Sequence, residues 1–178
     1  MRVIAGKLRH RIINMTNLET TRETQDKVRG AIFNMLGQYF DGGNCLDLFA
    51  GSGAMAIEAY SRGFSQIYLN DINKDAIGVC KSNCQNLGIS NAHFSNLDYE
   101  EFLNRNEVKM DLIILDPPYK MNDVNMLLEK VYNHLNKNGL IVFEMGIETL
   151  FPEKFANLNL IKNKTYGIKR VVIYEWVM

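Results

Sequence analysis

The stretch CLDLFAGSGAMAIEAYSRG, Cys45 to Gly63, decides the fold. A short apolar run, CLDLF (45–49), passes through a glycine-rich turn into the amphipathic stretch AMAIEAYSRG. Gly51 and Gly53 let the backbone turn tightly and let a ligand come close. Outward along the chain the same unit repeats. Apolar runs of strand length are QIYLN (66–70), AHFSN (92–96), LIIL (112–115) and LIVFE (140–144). DAIGVCKSNCQNLG, EEFLNR and VNMLLEKVYNHLNKNG separate them with helical spacing. Helical crossovers call for parallel strands with helices on both faces. The pattern changes at LNLIKNKTYGIKRVVIYEWV, two alternating runs around Gly167 with no helix between them. They read as an antiparallel hairpin on the sheet edge. The expectation is an α/β fold with a seven-stranded, mostly parallel sheet. Upstream, TRETQDKVRGAIFNMLGQYF reads as a helix from Glu23 to Tyr39, capped by Thr21 or Thr24. Val28, Ile32, Met35, Leu36 and Tyr39 share its apolar face, and DGG at 41–43 ends it.

The chain has 178 residues, 47% of them hydrophobic, which suits one globular domain with a substantial core. No apolar run reaches the ~18 residues of a membrane span. MRVIAGKLRHRII lacks the long apolar segment of a secretory leader. Three cysteines fit a reduced, cytoplasmic protein better than a disulfide framework. Lys and Arg balance Asp and Glu at 20 each, so any nucleic-acid-binding surface must be local. Without an exposed apolar strip, the expected state is a monomer.

The charge is indeed unevenly spread. No acid precedes Glu19, whereas Arg2, Lys7, Arg9 and Arg11, with His10, alternate with Val3, Ala5, Leu8, Ile12 and Ile13. Residues 1–21 read as a basic arm or hairpin turning near Gly6, ahead of a main body over 22–178. A solvated edge strand whose cations discourage aggregation is the plainer alternative.

In open α/β sheets ligands sit beyond the carboxyl ends of the strands. The first strand runs out in DLFAGSG, Asp47 to Gly53. No third glycine completes a dinucleotide fingerprint, and no Gly-Lys-Ser/Thr completes a P-loop. The second strand ends in Asn70-Asp71, where an acid can accept both hydroxyls of a ribose. The third leads to Asp98, able to accept from an adenine amine. Each acid could instead be a helix N-cap. The fourth strand ends in Asp116-Pro117-Pro118-Tyr119. The prolines make the turn rigid and donate nothing. A carboxylate beside a carbonyl forms a two-acceptor clamp suited to an –NH₂ group, and the tyrosine ring can stack on a planar base. A Pro-Pro turn with a surface tyrosine is the bland reading of the same residues. Cys80 and Cys84 lie one helical turn apart, but His93 and Cys45 do not complete a zinc spacing, so they read as core thiols. No metal is expected.

These motifs together resemble the class I S-adenosyl-L-methionine-dependent methyltransferases that act on amines. Along nearly the whole chain the resemblance is to the bacterial 16S rRNA guanine-N2 methyltransferases that modify guanine 966 in the usual numbering. It is carried by RVIAGKLRHRII, TRETQDKVRGAIFNML, CLDLFAGSGAMAIEAYSRG, LDPPY and GLIVFE. Two departures stand out. Glu23 replaces the proline usual between Arg22 and Thr24, and Arg9-His10-Arg11 lacks the usual glycine. The resemblance implies a Rossmann-like methyltransferase domain. Its donor site would comprise Asp47, Phe49, Ala50, Gly51, Ser52, Gly53, Asp71, Ile72 and Asp98. Asp116, Pro117, Pro118 and Tyr119 would form the catalytic loop, and Arg2, Lys7, Arg9, Arg11 and Arg22 would contact RNA. The implied partner is 16S rRNA within the 30S subunit or a late assembly particle. An amino-methyltransferase acting on DNA adenine or protein glutamine, and a non-catalytic RNA-binding module, remain as alternatives.

Overall fold

The computed structural model describes residues 1–17 and 26–178. The expected caps Thr21 and Thr24, the helix start at Glu23, and Arg22 lie outside the described residues. In chain order the elements are α1 (Asp26–Leu36), β1 (Asn44–Asp47), α2 (Ala54–Ser61), β2 (Gln66–Asn70), α3 (Lys74–Asn86), β3 (Ala92–Ser95) and α4 (Tyr99–Arg105). There follow β4 (Met110–Leu115), α5 (Val124–Tyr132), β5 (Leu135–Gly146), β6 (Lys154–Phe155), β7 (Leu158–Tyr166) and β8 (Lys169–Trp176). One sheet runs in the order β3-β2-β1-β4-β5-β8-β7-β6. The first five strands are mutually parallel, and β8, β7 and β6 add antiparallel. The chain reverses direction across the sheet between β1 and β4, the switch point where such folds bind ligands.

Strand alternation sends neighbouring side chains to opposite faces. Cys45, Leu112, Ile114, Val142, Val171 and Ile173 join the core under α1, α2 and α3. Leu46, Ile113, Leu115, Phe143, Val172 and Tyr174 join the second core, under α4 and α5.

The sheet has eight strands where the sequence suggested seven. The addition, β6, pairs only Lys154 and Phe155 with β7, too short to show an alternation. α5 stops at Tyr132, not at Gly139, and the residues after it enter β5. Asn133 caps the helix and Asn138 takes φ +65° before Gly139. Asparagine tolerates that left-handed geometry better than most residues, so an Asn-rich run favours a break. The β4–β5 register shifts between Met110 and Leu112 to absorb the turn. α1 ends at Leu36 rather than Tyr39 because Gly37 and Gln38 adopt positive φ and both donate to the Phe33 carbonyl. That is a helix stop of the Schellman type.

The arm is a hairpin. Val3 N–H donates to the Arg11 carbonyl (2.9 Å), Ile13 N–H donates to that of Met1 (3.0 Å), and Arg2 bridges Ile12. Val3 and Ile13 are buried in the core while Arg2, Lys7, Arg9 and Arg11 face outward. Its turn lies against α2 so closely that a Cβ on Gly6 would come within 1.9 Å of the Ser61 carbonyl oxygen. Glu58 of α2 fastens it there. This carboxylate accepts the backbone N–H groups of Ile4 (2.9 Å) and Ala5 (3.1 Å), Arg29 Nε of α1 (3.2 Å) and Arg62 Nε (3.0 Å). The side chains of Glu58 and Arg29 are both fully buried.

Candidate active site

The loops after β1, β2, β3 and β4 meet at the carboxyl edge of the sheet. The first begins at buried Asp47 and turns at Gly51 (φ +55°) and Gly53 (φ +84°). A Cβ on Gly53 would lie 2.8 Å from Leu69 Cδ2 and 3.2 Å from Cys80 Sγ, so only glycine fits. Gly53 is also the N-cap of α2 and offers no side-chain cap to its first N–H groups. The loop is braced from behind. Ala50 N–H donates to the Asn70 carbonyl (2.9 Å), and Cys80 Sγ donates to the Gly51 carbonyl (3.1 Å).

Asp71 works inside this framework. Its Oδ2 accepts Gly51 N–H (2.9 Å) and its Oδ1 accepts Asn73 N–H (2.9 Å). The helix N-cap is Asn73, whose side chain accepts the Asp75 and Ala76 N–H groups. Asp71 therefore clips the β1 loop to the β2 loop, and each carboxylate oxygen still has a second lone pair. Ile72 beside it is 70% exposed, an unusual position for a large apolar side chain. Asp98 is exposed and caps α4 through Glu100 N–H (2.9 Å). Phe49 packs its ring 5.7 Å from that of Tyr99.

Three asparagines that sequence reasoning missed hold these loops together. Asn70 Nδ2 donates to the Leu48 and Leu97 carbonyls (3.3 and 3.0 Å), and Asn96 Nδ2 donates to those of Asp71 and Ile72 (both 2.9 Å). Asn83 reaches further. Its Oδ1 accepts Asn14 N–H, and its Nδ2 donates to the Asn14 and Ser52 carbonyls (all 2.9 Å). The arm is thereby joined to the glycine loop through one buried side chain. Nothing in the local pattern marks these residues, because their partners are distant in sequence.

Beyond β4, Asp116 is half-buried, Pro117 buried, and Tyr119 68% exposed. The Pro118 carbonyl accepts Met121 N–H (2.8 Å), which closes the turn. A cavity of about 610 Å³ opens here, lined by Asp116, Pro117, Tyr119, Glu144 and Lys169 among others. Tyr119 leans across it, with its hydroxyl 3.8 Å from where a Cβ on Gly146 would stand. Glu144 and Lys169 form an ion pair in its wall. The signal for Glu144 was present in LIVFE, an apolar run closed by an acid just as LIIL is closed by Asp116.

The structure brings the predicted residues together in three groups: the glycine loop with Asp71 and Ile72, the Asp116–Tyr119 turn, and the arm. Within the arm, Arg11 Nη2 donates to the Asn86 carbonyl (3.1 Å), Arg2 Nη1 donates to that of His10 (3.0 Å), and Lys7 Nζ sits 3.8 Å above the Tyr60 ring. Cys80 and Cys84 are buried, and burial pushes the Cys84 thiol up to about 12, so it stays protonated near neutrality. Among the described residues, no helix is long and apolar enough to cross a membrane.

Comparison with known proteins agrees with this architecture. The family described as conserved hypothetical protein 95 matches residues 1–175. YlbH of Bacillus subtilis is 41% identical over 98% of this chain and 98% of its own. Ribosomal RNA small subunit methyltransferase D of Haemophilus influenzae is 34% identical over 98% of this chain and 93% of its own. The solved structure of the Escherichia coli protein yhhF superposes with a TM-score of 0.89 at 26% identity, over 99% of this chain and 98% of that one. The chain belongs to the conserved hypothetical protein 95 family of Rossmann-like methyltransferases, together with the proteins named ribosomal RNA small subunit methyltransferase D.

Proposed function

We propose that this protein transfers a methyl group from S-adenosyl-L-methionine to the exocyclic N2 amine of a guanine in 16S rRNA. Guanine 966 in the usual numbering is the target that the family resemblance implies. The observation that carries the reading is the Asp116–Tyr119 turn, which walls a cavity at the carboxyl edge of the sheet, one strand over from the glycine loop. The relatives named ribosomal RNA small subunit methyltransferase D support an rRNA substrate.

The residues present suit the donor. Gly51 and Gly53 keep side chains out of the turn, the first turn of α2 presents N–H groups, and Asp71 offers lone pairs to ribose hydroxyls. Exposed Ile72 gives an apolar face for the adenine. When bound, S-adenosyl-L-methionine supplies a methyl group already activated on a sulfonium. Asp116 and the Pro117 carbonyl accept the two hydrogens of the amine, which favours a pyramidal nitrogen with its lone pair aimed at the methyl, and the proton the nitrogen gives up on transfer passes to Asp116 or to water. Pro117 is the suitable carbonyl, because that of Pro118 is turned into the loop to meet Met121. Positioning and electrostatics then supply most of the acceleration. The target base must leave its stack to enter, and Tyr119 replaces that stacking, worth roughly 1–3 kcal/mol per base.

The decisive test is methyl transfer from labelled donor to unmethylated 30S particles and to protein-free 16S RNA, with mass identification of the product nucleoside. N2-methylguanosine at one position, formed on the particle, is the expected result. Methylated DNA or protein with unchanged rRNA would instead select another amine as target, and RNA binding without any transfer would select the non-catalytic reading.

Two substitutions separate donor from RNA. Asp71→Asn loses a charge-assisted acceptor and should weaken donor binding by about 1.5–3 kcal/mol, read by calorimetry on the folded variant. Unchanged affinity would remove Asp71 from the donor site. Replacing Arg9 and Arg11 by alanine should weaken particle binding and leave donor binding and the methylated position alone. The salt dependence should flatten by roughly 0.9 log–log unit for each duplex phosphate that the arm no longer neutralises. A double variant with wild-type affinity and slope would make the arm a solvated edge.

A further inference from the structure

We propose that Glu144 and Lys169 read the Watson–Crick edge of the target base and make this site select guanine over other amine-bearing bases. The proposal rests on the guanine-N2 reading and adds residues to which the Asp116–Tyr119 turn gives no role.

Ile114 of β4 pairs with Val142 of β5, and both side chains enter the core under α1 to α3. Two residues further on come Glu144, on that same face of β5, and Asp116, the first residue past β4 and its paired Leu115. Glu144 in turn pairs with Val171 of β8, whose same-face neighbour two residues back is Lys169. Glu144 and Lys169 are therefore diagonal cross-strand partners, and they form an ion pair. Asp116, just past the end of β4, Glu144 of β5 and, on the diagonal, Lys169 of β8 thus come from three neighbouring strands, about 4.8 Å apart from strand to strand, at the carboxyl edge. All three line the same cavity.

Burial makes this arrangement unusual. Glu144 is only 4% exposed, and its partner's side chain is 27% exposed. Replacing such a pair by well-packed apolar residues is often neutral or stabilising, so stability alone does not call for it. Its chemistry matches a ligand. Across the strands the row reads acceptor (Asp116), acceptor (Glu144), donor (Lys169). The Watson–Crick edge of guanine reads donor (the 2-amine), donor (N1–H), acceptor (O6). With the 2-amine held at Asp116, N1–H faces Glu144 and O6 faces Lys169. Adenine or cytosine, held by its own amine, would instead turn an unprotonated ring nitrogen toward the Glu144 carboxylate, acceptor against acceptor. A buried polar group left unpaired in this way gives strong rejection.

The test uses 2-aminopurine, which keeps the 2-amine but has an unprotonated N1 and no O6. Small subunits are reconstituted with guanine or 2-aminopurine at the methylated position, and single-turnover transfer is compared. The wild type should favour guanine by about 10–100-fold, the discrimination of a good paired contact. Glu144→Gln can turn an amide N–H toward the unprotonated N1, so it should lose guanine activity and compress the ratio about tenfold or more. Lys169→Met, which removes the O6 contact, should compress it too. The ratio is internal, so partial misfolding scales both rates together and leaves it unmoved. A wild type indifferent to the two bases, or a ratio unchanged in both variants, overturns the edge-reading role alone. A wild-type product other than N2-methylguanosine overturns the guanine-N2 reading and this inference with it.

Discussion

Asp116→Ala is expected to reduce single-turnover methyl transfer by about 10²–10³-fold, the cost of removing one preorganised polar partner of the transition state, and to leave donor affinity near wild type. The reason is where the carboxylate sits. It follows β4 directly, half-buried, in the wall of the cavity. Two strands away, Asp71 holds the glycine loop. The two acids stand two strands apart on the carboxyl edge of the sheet, so a change at one should spare the other. An interaction made chiefly in the transition state lowers kcat and kcat/KM together. Rapid-quench transfer with saturating donor and 30S particles measures the first, and calorimetry with S-adenosyl-L-methionine measures the second. Transfer near the wild-type rate would remove the two-acceptor clamp from the mechanism.

Glu58→Ala is expected to have the largest effect on stability, about 3–5 kcal/mol, the loss typical of breaking a buried ion pair from one side. Arg29, fully buried, would lose the buried one of its two carboxylate partners and keep only the half-exposed Asp26, and Arg62 would lose Glu58. The N–H groups of Ile4 and Ala5 would lose their acceptor as well. In a chain of this length the midpoint of thermal unfolding should fall by about 6–20 °C. Glu101→Ala is the control. Its pair with Arg105 is exposed on both sides, and such pairs contribute about 0–1 kcal/mol. Equal shifts for the two variants would mean that Glu58 does not organise the arm.

Much of this was legible before the fold was known, because strand–helix alternation and the glycine turn are local signals. CLDLF and LIIL end within two residues of β1 and β4. Boundaries failed where one residue's backbone decided them, at Gly37–Gln38 and at Asn138. The acids were found as anomalies at strand ends, but their full work was hidden. Asp71 was readable as a ribose acceptor or a cap, and it proves to be the clip on Gly51. Asp98 does cap α4. Glu58 is one polar residue within the amphipathic stretch AMAIEAYSRG. Its partners Ile4 and Ala5 lie 54 and 53 residues away, and spacing along a helix carries no information about them.

The sheet order also bears on how the protein is made. β8, the last strand in the chain, lies between β5 and β7. As the chain leaves the ribosome, β5 has one neighbour, β4, and its other edge stays unpaired until residues 169–176 emerge. Non-local pairings of this kind form slowly, and open strand edges invite aggregation. The cavity wall containing Lys169 is complete only with that same strand. A nascent chain with a finished glycine loop therefore still lacks the wall of the cavity beside Asp116 that β8 supplies.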